Sequence, residues 1–152
     1  MTSVRYMVAA AALAFTMPVH AGVNDPEVVI YRASGVADNA PGGATATSFS
    51  CTNFSGVPEN IRVVVRKADA TVAANQVNPV SHLNTIIYST SDVTIFTDVN
   101  LATGAFGGGT VAIAATSINV TCTGMLLQFN TQAPEGIQLH MTRFNPITGT
   151  QE

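Results

Sequence analysis

The chain has 152 residues, only 10% of them charged, with six basic residues against nine acidic ones and a formal net charge of −3 at pH 7. This balance excludes nucleic acid as a partner, because neutralising phosphates takes clustered cations and the chain has no basic stripe. Thr, Asn, Ser and Gly supply most of the polarity instead, a surface suited to strands and turns and to a protein or glycan partner.

Residues 1–21 read as a secretory signal peptide. Arg5 gives the positive start, Met7 to Met17 the apolar run, and Pro18-Val19-His20-Ala21 a cleavage site with the required small residue. The run is too short to cross a bilayer core of about 30 Å, which takes roughly 20 apolar residues. Residues 22–152 are then one domain, secreted or periplasmic. With no second long apolar segment, no membrane span is expected.

The first strand is predicted over Val28-Val29-Ile30-Tyr31, followed by a long turn through Asp38-Asn39-Ala40-Pro41-Gly42-Gly43. Phe49 and Cys51 alternate in the next apolar stretch. Ile61, Val63 and Val65 share one face of a strand whose other face carries Arg62, Val64 and Arg66. Lys67 to Ala70 turns the chain into Thr71–Val77, and Asn78-Pro79 interrupts, since proline donates nothing to a ladder. Strands are then predicted over Leu83–Tyr88 and Val93–Thr97.

From Asn100 to Gly109 the glycines predict a mobile loop, with Gly104, Phe106, Gly107, Gly108 and Gly109 as a candidate contact surface. Thr110–Ala115, Ile118–Thr123 and Met125–Asn130 follow as short strands. The last strand shows the sharpest alternation, Ile137, Leu139 and Met141 inward against Gln138, His140 and Thr142 outward. Eight or nine short strands with Gly, Pro and Asn turns and no amphipathic helix predict an all-β fold, an antiparallel β-sandwich.

An oxidising destination favours pairing of the only two cysteines, Cys51 and Cys122, and both sit at inward strand positions. A buried bridge is predicted, closing a 71-residue loop and stabilising the fold by about 4 kcal/mol on the loop-entropy model. An inter-sheet bridge of this span suits an immunoglobulin-like shape. The chain has no tryptophan, however, and Val120 stands where a tyrosine corner would place its ring.

Reactive chemistry is scarce. His82 and His140 lie far apart, the cysteines are committed, and no metal site or cofactor is predicted. No G-x-S-x-G elbow marks a nucleophile, so no catalytic residue is assigned. Asp92 and Asp98 flank one predicted strand, roughly 20 Å apart if it is straight, and read as turn residues. Asn53-Phe54-Ser55 and Asn119-Val120-Thr121 match the glycosylation sequon, with Asn119 placed inside a strand. Arg62 and Arg66 present a pair of cations for an anion, or else protect a sheet edge against aggregation. The chain is thus expected to be a non-enzymatic binding or structural β domain, with a fibre or pilus subunit and a small secreted hydrolase as alternatives. In the fibre reading, the Ile137-Leu139-Met141 strand is the one donated to a neighbour.

Overall fold

The computed structural model describes residues 27–144, and the predicted signal peptide lies outside them. Ten strands are present: β1 (Val28–Asp38), β2 (Thr45–Asn53), β3 (Glu59–Arg66), β4 (Val72–Val80), β5 (Thr85–Ser89), β6 (Val99–Asn100), β7 (Phe106–Ala115), β8 (Val120–Gln128), β9 (Gly136–Leu139) and β10 (Thr142–Arg143). They form two five-stranded sheets, ordered β10-β1-β7-β3-β4 and β6-β5-β2-β8-β9. Every pairing is antiparallel except β5 with β6.

Alternation explains why the sheets stack. Ile61, Val63 and Val65 on β3 register with Ala115, Ile113 and Val111 on β7, forming an apolar inner face on the first sheet. Phe49 and Cys51 on β2, Tyr88 on β5, and Val120 and Cys122 on β8 line the second, and all these side chains share one buried cluster. Burying a large apolar side chain of this kind contributes about 1.5–3 kcal/mol.

Polar bonds between the sheets fix how they face each other. The Tyr88 hydroxyl, fully buried, donates to the Ile61 carbonyl at 2.9 Å. Thr47 Oγ1 donates to the Ala37 carbonyl at 2.8 Å and accepts from the Ala37 amide at 2.9 Å. Asp38, 1% exposed, accepts hydroxyls from Ser91 and Thr103 at 2.8 Å each and the Ala40 amide at 2.8 Å. Buried groups paired in this way avoid the penalty of an unsatisfied donor or acceptor.

The disulfide joins Cys51 and Cys122, as the cysteine positions predict, but it does not bridge the two sheets. The two residues are direct cross-strand partners on β2 and β8, neighbours in the second sheet, with Cα atoms 4.1 Å apart.

Several strand predictions need correction. The first strand extends to Asp38, well into the expected loop. Asn78-Pro79 interrupts nothing, because β4 ends its sheet and an edge strand accommodates a proline. Val93–Thr97 forms no strand; Val93 instead packs with Ala46 and Leu127 in a small separate cluster. The two strands predicted around Gly124 are one, β8, and a Cβ on Gly124 would lie 3.4 Å from the Phe49 ring. Ile137 is 64% exposed, while Leu139 is buried as predicted.

Candidate functional site

The outer face of the first sheet carries a trough of about 570 Å³, within the usual range of ligand sites, about 300–1,000 Å³. Its floor is β7, the central strand, where the outward side chains are small: Thr110, Ala112 and Ala114. The flanking strands raise walls in three registered rows. Val29 and Arg62 flank Ala114, Arg32 and Val64 flank Ala112, and Ser34 and Arg66 flank Thr110. A depression follows in the rows of Ala114 and Ala112, where a short side chain on the middle strand lies between longer ones on both neighbours, while in the third row only Arg66 rises above Thr110.

Three of the six basic residues in the chain therefore line one cavity. Arg62 and Arg66 stand four residues apart on one wall, roughly 14 Å along an extended strand. Arg32 stands on the opposite wall, level with Val64 midway between them and about 10 Å away across two strand spacings.

Their positions are held by neighbours. Arg62 forms a salt bridge through Nε to Oε2 of Glu27, whose side chain is 4% exposed, and donates from Nη1 to Asn75 Oδ1 at 3.3 Å. Arg66 donates from Nη1 to the Ala70 carbonyl at 3.1 Å. The Arg32 guanidinium lies 5.4 Å from the centre of the Phe144 ring, a cation–π arrangement. Phe144 is fixed in turn by its amide, which donates to the Ile30 carbonyl at 2.8 Å. His140 and Thr142 complete the rim.

Of the arginines, Arg62 and Arg66 share a face as the alternation predicts. Edge protection does not account for them, because β3 lies between β7 and β4 and is an interior strand. Arg32 escaped the sequence reading. A bulge at Ile30 shifts the β1 register between Val29 and Tyr31, so Val29 and Arg32 share the outer face although they are three residues apart. The alanines Ala112 and Ala114 were the available signal for a hollow, since strand positions with small side chains allow close approach.

The expected glycine loop is largely strand. Phe106, Gly107, Gly108 and Gly109 begin β7, with Phe106 opposite Asp38 and Gly109 opposite Val36. Gly104 precedes the strand and is exposed. At Gly109, a Cβ would meet the Arg66 carbonyl at 2.4 Å and the Phe106 ring at 2.5 Å, while Gly108 takes a φ of +72°. These glycines thus allow the bulged end of the β1–β7 ladder and the packing of Phe106 over it.

The remaining candidates stand apart. His82 is exposed, and its Nδ1 accepts the Gly56 amide at 3.0 Å. Asp98 accepts the Val93 amide at 3.2 Å, closing a turn, and Asp92 is exposed on the same loop. Among the described residues, no three His, Cys, Asp or Glu side chains gather as a metal-ligand group. The sequons differ sharply. Asn53 is fully buried and donates from Nδ2 to the Val57 and Val80 carbonyls at 2.7 and 2.8 Å. Asn119 is exposed and precedes β8, outside the strand expected to contain it. No family model, no curated protein and no solved structure matches the chain.

Proposed function

We propose that the protein is a secreted or periplasmic, non-enzymatic binding domain that takes an anionic ligand in the trough over β7. One observation carries this reading: three arginines from two strands surround a hollow floored by small side chains, on a chain whose net charge is negative. Guanidiniums suit carboxylate, sulfate or phosphate groups, with which they form paired, charge-assisted hydrogen bonds. Among the described residues the one carboxylate in the lining is Glu27, which pairs with Arg62, so three guanidiniums face a single carboxylate there, beside hydroxyls and apolar surface. The buried disulfide supports the location, since such bridges persist in oxidising compartments.

Thermal denaturation in sulfate or citrate tests the proposal. Binding to the native state raises stability by about 2.7 kcal/mol when the ligand stands at 100 times its dissociation constant. Both anions also stabilise folded proteins by exclusion from the surface, so the rise is compared with that of Ala112→Glu, which places a carboxylate on the floor between the arginines and is expected to show a smaller rise while the far-ultraviolet circular dichroism is retained. An equal rise in both proteins would defeat the reading.

A second reading, the fibre subunit, draws on β4. It is a nine-residue terminal strand without a charged residue, whereas the other sheet ends, β10, β6 and β9, have two, two and four residues. A long uncharged edge is a template for strand pairing with another chain. In this reading β4 accepts a strand, and β9, with four residues paired to β8, is a poor donor. Sedimentation across a concentration series checks it: Val77→Lys should reduce association, and a wild-type monomer at the highest concentration would remove it.

A further inference from the structure

We infer that the ligand of the β7 trough is a linear acidic polysaccharide, with carboxylates of separate sugar units seated on Arg32, Arg62 and Arg66. This rests on the reading of the trough as an anion site and adds the identity of the anion. Three geometric features lead to it.

The first is the spacing of the cations. A single carboxylate or phosphate is only a few ångströms across, and Arg62 and Arg66 are rooted roughly 14 Å apart on their strand. Each is also held on its own partner, Arg62 on Glu27 and Arg66 on the Ala70 carbonyl, so a small anion engages one arginine at a time. A chain of anionic units running along β7 meets Arg62 and Arg66 in turn on one wall, with Arg32 between them on the other.

The second is the state of the backbone. β7, the floor, and β3, the wall of Arg62 and Arg66, are paired on both sides along the trough, and β1 is paired to β10 at Tyr31 and Arg32, so the amides and carbonyls of the floor and of that wall face neighbouring strands within the sheet. A peptide lying in the trough would meet side chains only, leaving its own amides and carbonyls without ladder partners. Peptides recognised as strands add to sheet edges, where such partners are available. A glycan has no such repeating requirement. Its hydroxyls match Ser34, Thr110 and Thr142, and its apolar C–H faces match Ala112, Ala114, Val64 and the half-exposed ring of Phe144.

The third is the limited extent of charge and apolar surface. Attraction to an anionic membrane is worth about 1 kcal/mol per cation near the surface, and three arginines act against the negative net charge of the chain. Among the described residues lining the trough, Phe144 is the exposed large apolar side chain, too little to insert into lipid.

The test is calorimetric titration of the purified chain with polygalacturonate, set beside dextran, monomeric galacturonate, inorganic phosphate, an acidic peptide and phosphatidylglycerol vesicles. Polygalacturonate is expected to bind, more weakly as salt rises, with dextran silent and monomeric galacturonate far weaker. Arg32→Gln and Arg66→Gln, which remove groups at the exposed side of a formed sheet, should each weaken the polymer about ten-fold, the scale of one charge-assisted hydrogen bond. Tighter binding of phosphate, galacturonate, vesicles or peptide than of the polymer, lost in the same two variants, would overturn the glycan inference and leave the anion site standing. Absence of binding by every anion, or polymer binding untouched in both folded variants, would overturn the inference and the anion site together.

Discussion

The two outer faces of the sandwich share a strand pattern and differ in chemistry. On the first sheet, the outward positions of β1, β7 and β3 carry Arg32, Arg62 and Arg66 around small side chains. On the second, the outward rows of β5, β2 and β8 are Ser89-Ser48-Met125, Ile87-Ser50-Thr123 and Thr85-Thr52-Thr121, with no charge among them. Hydroxyls there satisfy one another: Ser48 with Ser89, and Thr52 with Thr85, each pair sharing a hydrogen bond of 2.7 Å. Alternation makes both faces, and it decides only which residues point outward. The first face gathers guanidiniums, each held by a neighbour, whereas the second pairs hydroxyl with hydroxyl across strands.

The contrast implies that the faces depend on one core and otherwise act independently, which substitutions can break. The largest effect is expected from Phe49→Ala. This fully buried ring packs in the cluster common to both sheets, and its removal should cost about 3–5 kcal/mol. Chemical denaturation would measure the loss, with trough binding disappearing in step with the folded fraction.

Next comes the double replacement Cys51→Ala, Cys122→Ala. It should lower stability by about 2–4 kcal/mol, measured by denaturation under non-reducing conditions. Anion affinity of the folded remainder should not change, because the bridge belongs wholly to the second sheet. A fall in that affinity would show the two faces to be coupled through the sandwich.

Tyr88 reaches from the second sheet to the first and sharpens the comparison through pH. Burial, and secondarily the negative charge of Glu27, hold its phenol well above the usual tyrosine range. The unfolded tyrosine ionises near pH 10 while the native one stays protonated. Stability is therefore fully present below about pH 10 and falls as pH rises through the interval up to the raised native value. Tyr88→Phe should cost about 0.5–1.5 kcal/mol at neutral pH, from loss of the buried hydrogen bond to the Ile61 carbonyl, and should flatten this alkaline decline. Denaturation midpoints across the alkaline range would show both.

Legibility in the sequence divides along the same lines. Strict alternation exposed the inner face of β3 and the shared face of Arg62 and Arg66, and the expectation of an oxidising destination paired Cys51 with Cys122. Which sheet holds the bridge was not legible, because spacing along a chain carries no information about which strands become neighbours. The trough was half legible for a local reason. Counting by twos from Val28 puts Arg32 inward, and the bulge at Ile30 reverses that parity. The stretch Val93–Thr97 misled because its β-branched and aromatic composition serves to fill a small cluster from a loop. Gly108 and Gly109 misled in the opposite direction, since glycines that look mobile are required there, one by a left-handed φ in a bulged ladder and the other by an overlying ring.

The smallest expected effect tests the quiet face. Thr52 and Thr85 lie side by side on β2 and β5, and their shared hydrogen bond is solvent-exposed. Replacing both by valine keeps their shape and β-branching and removes donor and acceptor together, so no buried group is left unpaired. Stability should change by less than about 0.5 kcal/mol, and anion affinity should not change at all. A loss of several-fold in affinity would mean that the second sheet contributes to recognition across the sandwich. The assignment of binding to the arginine face alone would then fail, although nothing in the trough had been altered.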